Sequence, residues 1–268
     1  MIKLINMDYK QALRDSPPVR MVFADPPDAI GMKYDGFKDK FSDSEYRDFI
    51  HHVVYMSTQV CEVFWLSINS RHTFMVGGVI SSFLQRYTDW EAKACVQTFT
   101  FGQHNHHDLG NNHRPLYRLM KKGTVLYPEQ VRVPSWRQLN GDKRADPRGR
   151  VPGDVFDFPR VTGNSKQRRA FSPTQLHEGL YERCIRLSCK PGDTVLDPFA
   201  GSGTLGRVAE RCQVRATMVE VSGPVCEKIA ADQGLAQVCC FVWAKPTGVP
   251  NECRVLQQTA GSMYDPQP

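Results

Sequence analysis

No stretch of the chain reaches the apolar length that a membrane-spanning helix needs, so a membrane partner drops out first. Cysteine occurs nine times yet never as a Cys-x-x-Cys pair; the thiols stand singly except for Cys239-Cys240. Their odd number, with no start resembling a signal peptide, points to reduced thiols in a cytosolic setting, most simply as buried apolar residues. No internal repeat is visible. Histidines gather only at His104, His106, His107 and His113, a spacing that fits no standard zinc pattern, so no metal is expected and a polar loop is the simpler reading. No Lys-Ser/Thr pair follows the glycines near Gly201, which sets a phosphate-binding P-loop aside.

What is present suits an ordinary globular α/β protein. At 268 residues the chain can bury a substantial core, with one large unit carrying an insertion. The charge is uneven. Between Arg132 and Arg169 stand ten Lys/Arg against four Asp, so this segment accounts for the whole net charge of +6. A basic segment on a neutral body fits contact with phosphates, although a solvated Arg-rich loop has the same composition.

The first hundred residues alternate in character. Val19–Phe23 reads as a short buried strand ended by two prolines, and Ser42-Asp43-Ser44-Glu45 as a helix cap for a helix to about Val60. Val63–Ile68 reads as a strand, Thr73–Tyr87 as an amphipathic helix and Ala92–Phe99 as another strand. From about Phe101 to Ser172 Gly, Asn, Pro and Arg dominate, with one plausible strand around Leu116–Met120. Alternation resumes with a helix from Gln175 to about Cys189, a strand Thr194–Asp197 and a helix Thr204–Arg211. A strand Arg215–Glu220, a helix to about Ala231 and a strand Gln237–Trp243 follow, then a loose tail. This predicts a parallel sheet with helices on its faces, divided at 1–100, 101–172, 173–245 and 246–268.

Two segments carry the chemistry. After the strand ending in Asp197, Phe199-Ala200-Gly201-Ser202-Gly203 must turn sharply, and its glycines allow a ligand close to the backbone. Glu220 ends the next strand 19 residues after Gly201, where an acid can bond the hydroxyls of a ribose. Taken on Gly201 and Gly203 alone, the turn argues for a nucleoside other than NAD. The second segment, Asp25-Pro26-Pro27-Asp28, is a stiff turn, because each proline fixes φ and removes a donor. Its carbonyls and the Asp25 carboxylate form an array of acceptors suited to an sp2 amine. Drawn toward tetrahedral geometry, such a nitrogen can attack an electrophilic methyl before it loses a proton. Either segment by itself also occurs as a plain loop.

Together the segments resemble the S-adenosylmethionine-dependent DNA amino-methyltransferases, which pair a D/N/S-P-P-aromatic loop with a Phe-x-Gly-x-Gly loop. The order here, catalytic loop first, is similar to the permuted β class of bacterial and phage enzymes. The resemblance takes in Pro173-Thr174-Gln175, Pro191 to Phe199, Val133 to Gln138, Gly149 to Pro152 and Phe158 to Val161. It implies a doubly wound, mostly parallel, seven-stranded Rossmann-like sheet, circularly permuted, with an irregular basic insertion. By the same likeness Asp25, Pro26, Pro27 and Asp28 form the catalytic loop. Asp197, Phe199, Gly201, Gly203, Glu220, Thr174 and Gln175 contact S-adenosylmethionine. Trp136, Arg137, Gln138, Arg144, Arg148 and Arg150 contact DNA.

The chain departs from the pattern at Asp28, where the family usually has a ring that stacks on the extruded base, and at Leu176-His177, where Lys-Pro is usual. The first loses about 1–3 kcal/mol of stacking unless a ring such as Tyr34 or Trp65 compensates. The resemblance therefore implies methylation of N6 of adenine in extruded DNA bases, in a bacterial or phage-infected cytoplasm. N4-cytosine, methylation of RNA or of a protein amide, and a DNA-binding relative that has lost activity are the alternatives; a homodimer is an allowed assembly.

Overall fold

The computed structural model describes residues 1–34, 37–100 and 105–235, together with the backbone of Cys239–Cys240. The predicted strand Gln237–Trp243 is described only at those two residues, and the tail and His104 lie outside the described residues.

Nine strands form one sheet. In chain order they are β1 (Ile2–Asn6), β2 (Val19–Ala24), β5 (Cys61–Ser67), β6 (Trp90–Thr98), β7 (His113–Lys121), β8 (Val155–Asp157), β9 (Thr194–Asp197), β10 (Arg215–Glu220) and β11 (Cys239–Cys240). A small separate hairpin pairs β3 (Lys33–Tyr34) with β4 (Phe37–Lys38). The order across the sheet is β11-β1-β10-β9-β2-β5-β7-β6-β8. Among the described residues every pairing within this sheet is parallel except those of β7, which runs antiparallel to β5 and β6.

The sheet has two strands more than the seven expected, because β1 and β8 were not foreseen. Within the interval 101–172, β7 lies inside the sheet, between β5 and β6. A strand buried on both sides cannot form part of a detachable loop.

Helices cover both faces, as a sheet buried on both sides requires. Met21, Phe23, Val63, Trp65 and Val195 point into one core with residues of α5 (Glu178–Ser188), α6 (Thr204–Ala209) and α7 (Gly223–Gln233). Their neighbours Val22, Ala24, Phe64, Leu66 and Leu196 point the other way, against α1 (Tyr9–Asp15), α2 (Asp43–Val60) and α3 (Thr73–Arg86). This is the period of two expected of a strand. The cap predicted for α2 is present as a reciprocal capping box: the Glu45 N–H donates to Ser42 Oγ, and the Ser42 N–H donates to Glu45 Oε2 at 2.7 Å. A very short α4 (Trp136–Leu139) interrupts the irregular stretch.

From β9 the chain proceeds toward β10, whereas from β2 it proceeds toward β5. The winding therefore reverses between the adjacent strands β9 and β2, paired at Met21↔Val195 and Val22↔Leu196. Beyond the carboxyl ends of two such strands the crossovers leave in opposite directions and open a crevice.

The glycine turn after β9 closes this end by packing. Gly203, with φ +73°, caps α6; a Cβ there would lie 2.7 Å from Ile229 Cγ2 and 2.5 Å from Gln233 Nε2. Gly206 completes a G-x-G-x-x-G spacing that a reading on two glycines passes over, and a Cβ on it would lie 2.8 Å from Met218 Cε. The glycine pattern alone therefore does not separate a dinucleotide from another nucleoside. Gly203→Ala combines left-handed strain with a clash on α7 and should destabilise the protein by about 1–3 kcal/mol. A denaturation midpoint equal to that of the unaltered protein would contradict this packing role.

Candidate active site

A cavity of about 310 Å3 opens in the crevice. From the β2 side it is lined by Asp25 and Pro27; from the β9 side by Pro198, Phe199, Ala200, Gly201 and Ser202; from β10 by Glu220. Thr174 and Gln175 close it from the loop before α5, and Tyr34 from the hairpin. Residues about 150 or more positions apart thus share one wall because their strands lie side by side and point the same way.

Glu220 is fixed by backbone donors. Its Oε2 accepts the Gly201 N–H at 3.0 Å and its Oε1 the Ser222 N–H at 2.9 Å. This ties the glycine turn to the end of β10. Met7, Asp8 and Tyr9, at the unforeseen junction of β1 and α1, also line the cavity. Tyr9 packs on Phe199 with centroids 5.0 Å apart and edge-on against Phe49, giving the cavity an aromatic wall. The alternation of Ile2, Leu4 and Asp8 at the chain start was the available signal for these elements.

Asp197 and Gly203 do not line the cavity, and Gln175, which does, is committed to its own loop. Asp197 is 0% exposed; its oxygens accept the Phe199 N–H at 2.9 Å and the Tyr181 hydroxyl at 3.0 Å. It holds the turn from beneath. Burial, with too few donors to offset it, pushes its carboxyl up to about 7. Gly203 serves α7 packing, as described above. The Gln175 amide donates to the Gln167 carbonyl and accepts from the Arg169 N–H, so it orders its own loop.

The proline turn is braced on every side. The Pro27 carbonyl accepts the Tyr46 hydroxyl at 3.0 Å, and the Asp28 carbonyl accepts His72 Nε2 at 2.8 Å. Asp39 accepts the N–H groups of Ala29, Ile30 and Met32 at 2.8–3.0 Å, pinning the chain as it leaves the turn. Of the turn's carbonyls, that of Pro26 accepts no hydrogen bond from the described residues. Pro26 is itself buried and does not line the cavity.

Asp28 is not positioned as a ring substitute. It is 4% exposed, lies outside the cavity lining, and bonds Arg114 through both oxygens at 2.9 and 3.0 Å. Arg114 also bonds Asp25 Oδ1 at 2.6 Å and Ser67 Oγ at 2.7 Å. Burial raises the Asp25 carboxyl, and the Arg114 charge beside it works against that rise. Arg114 and Ser67 carried no motif in the sequence.

Of the two rings considered for stacking, Trp65 is buried in the core, its Nε1 donating to Ser188 Oγ at 2.9 Å. Tyr34 lines the cavity, and burial raises its hydroxyl to about 12.

The predicted DNA contacts lie along the irregular basic stretch. Trp136 and Leu139 project from α4 with 75% and 73% exposure. Arg137 and Arg150 are exposed and form no ion pair among the described residues. Arg144 and Arg148 are exposed but paired with Asp142 and Asp146, two residues before each. Gln138 is committed: its amide completes a cap with Ser135 and donates to the Pro147 carbonyl, so it is not free to read a base. Among the described residues no group of three or more His, Cys, Asp or Glu could hold a metal, and no helix is long and apolar enough to cross a membrane.

A family model described as DNA methylase matches residues 19–231. The DNA adenine methyltransferase YhdJ of Escherichia coli (strain K12) is 28% identical over 232 residues, covering 77% of this chain and 74% of that protein. The type II methyltransferase M.HpaI of Haemophilus parainfluenzae is 27% identical over 200 residues, 72% of this chain and 60% of that one. Among solved structures, the M1.HpyAVI–SAM complex matches with a TM-score of 0.61 and 16% identity, covering 88% of this chain and all of that one. The cytosine-N4-specific PvuII DNA methyltransferase matches at 0.67 and 16% identity, covering 85% of each chain.

The buried Asp197 has a pH signature. Its folded pKa lies above that of an exposed aspartate, so the native state binds the extra proton, and this contribution is lost as pH rises from about 4 through 7. Asp197→Asn cannot ionise and should flatten that decline. Urea midpoints measured across the range test it; parallel curves for the two proteins would refute the assignment.

Proposed function

The chain belongs to the DNA methylase family, and on that premise we propose that it transfers a methyl group from S-adenosylmethionine to the exocyclic N6 of adenine in DNA. The observation that carries the reading is the single cavity shared by the Asp25–Pro27 turn and the Phe199–Ser202 turn with Glu220. The wall fits the cofactor's chemistry. Aromatic surface from Tyr9 and Phe199 suits a purine, the braced Glu220 carboxylate suits ribose hydroxyls, and Thr174 provides a polar group for an amino-acid end. When bound, the cofactor supplies a methyl made electrophilic by its sulfonium.

The turn holds the target amine. Asp25 accepts one N–H and a carbonyl of the proline turn the other, drawing the nitrogen toward tetrahedral geometry and aiming its lone pair. The bound cofactor would supply the methyl, its bond pair staying with sulfur, and Asp25 would take the proton shed by the cationic amine or pass it to water. A base in a duplex cannot reach this cavity, so the target is extruded. Tyr34 stacks on it in place of the ring missing at position 28.

Adenine is favoured by the aspartate heading the turn and by the Escherichia coli relative's described specificity. Cytosine N4 is the specificity of the PvuII enzyme, a likeness that carries fold only. The buried, fully bonded state of Asp28 supports a working turn rather than a decayed one. Exposed Arg137 and Arg150, with Trp136 beside them, suit DNA phosphates and a stacking or wedge contact, and Arg144 and Arg148 can exchange weak local pairs for phosphates.

Single-molecule sequencing of DNA from cells expressing the protein should reveal N6-methyladenine in a fixed context. N4-methylcytosine would overturn the base assignment, and unmodified DNA the transfer itself. Asp25→Ala should abolish methyl transfer while S-adenosylmethionine affinity, measured by calorimetry, stays within about twofold of the unaltered protein; retained turnover refutes the amine-holding role. Arg137→Gln with Arg150→Gln should flatten the slope of log affinity against log salt by about 1.8, near 0.9 per phosphate contact. An unchanged slope would clear both residues of phosphate contact.

A further inference from the structure

We propose that Arg114 is the positioning residue of the catalytic turn, a clamp that fixes the orientation and charge of Asp25 through Asp28. This rests on the amine-holding reading of Asp25. The guanidinium makes four hydrogen bonds: two to Asp28, one to Asp25 Oδ1 and one to Ser67 Oγ. Its planar fork matches a carboxylate edge-on, so the doubly bonded Asp28 sets the plane of the guanidinium. The remaining Nη2 hydrogen then reaches Asp25 in one orientation. Asp28, pinned at its carbonyl by His72, anchors this arrangement to the fold.

The placement of Arg114 follows from the topology. Parallel strands bring their carboxyl ends to the cavity, and among the described strands of the large sheet β7 alone has its amino end at that edge. Arg114, the second residue of β7, therefore lies two residues beyond the Ser67↔Leu116 pair that ends β5, and its guanidinium enters the turn while bonding Ser67 Oγ. With side chains only 17% exposed on Arg114 and Asp25 and 6% on Asp28, the ions interact with little screening. One cation between two buried carboxylates leaves a single surplus negative charge, and removing the cation would leave two carboxylates uncompensated. Position 28 thus carries a clamp component and cannot accept a ring without breaking it.

The charged and titratable groups acting on Asp25 are Arg114, Asp28, Asp197, Tyr34, Tyr46 and Tyr181. Arg114 favours the ionised form and Asp28 opposes it. The two partners should therefore shift Asp25 in opposite directions when altered, which a purely structural pair would not do.

Methyl transfer from labelled S-adenosylmethionine to unmethylated genomic DNA is followed against pH for the unaltered protein, Arg114→Gln, Arg114→Lys and Asp28→Asn. Carboxyl-carbon NMR of Asp25 is recorded on the same proteins without DNA. Arg114→Gln should lower kcat about 100-fold with cofactor affinity unchanged, as misplacement of a reacting group does. Its acid limb and the Asp25 titration should move to higher pH, whereas in Asp28→Asn both should move lower. Arg114→Lys should keep the charge, and so the limb, while losing rate. An Asp25 titration that stays put in both variants, or moves the same way in both, overturns the clamp. Asp28→Tyr should lose activity; gained DNA affinity with full turnover would likewise overturn it. Absence of transfer by the unaltered protein would refute the reading of Asp25 instead, while the NMR titrations would still decide whether Arg114 and Asp28 govern that carboxylate.

Discussion

The parallel pairing of β2, β9 and β10 is the constraint on which the site depends. Adjacent parallel strands deliver their carboxyl ends to one edge, and the reversal of winding between β9 and β2 leaves that edge uncovered by crossovers. Asp25 is the residue after β2, the glycine turn begins two residues past β9, and Glu220 ends β10. Slipping β2 by one residue against β9 would turn Met21 and Phe23 to the wrong core and carry Asp25 off the cavity. The two hydrophobic layers that stabilise the sheet are therefore also what sets the distance between the two halves of the site.

Around that edge the protein buries ionisable groups in two different ways. Asp197 is satisfied mainly by neutral donors and remains easy to protonate, a structural prop under a turn. Asp25 is held beside a cation and a second carboxylate, so its charge is set by partners rather than by solvent. Lone buried carboxylates are costly, and each case shows the compensation that makes burial tolerable: hydrogen bonds in one, a guanidinium in the other. The rigidity of the proline turn has the same origin, since Tyr46, His72 and Asp39 take up the polar groups on either side of it.

Much of this was legible in the chain. The strands Thr194–Asp197 and Arg215–Glu220 appear where the apolar runs and their turn residues put them, and α2 begins at its capping box. Part of the cavity wall was also readable, because Asp-Pro-Pro, Pro-Thr-Gln and the glycine turn are local signals. What escaped was short or non-local. β1 has five half-polar residues and β8 only three, too few for a period to stand out. Arg114 lies 89 residues from Asp25, and no local pattern announces a strand that runs against its neighbours. Asp28 was visible as a departure, but its meaning required its partner.

The reversed strand also bears on how such a protein can be recombined. Residues 101–172 look like a cassette by composition, yet they contain β7, and with it the guanidinium that grips the turn. A hybrid made by grafting that whole interval from a relative would import a foreign anchor beneath the native Asp-Pro-Pro-Asp and open the middle of the sheet. Splicing downstream of Lys121 keeps donor and acceptor from the same parent, so exchange of specificity and retention of catalysis are compatible only on one side of that residue.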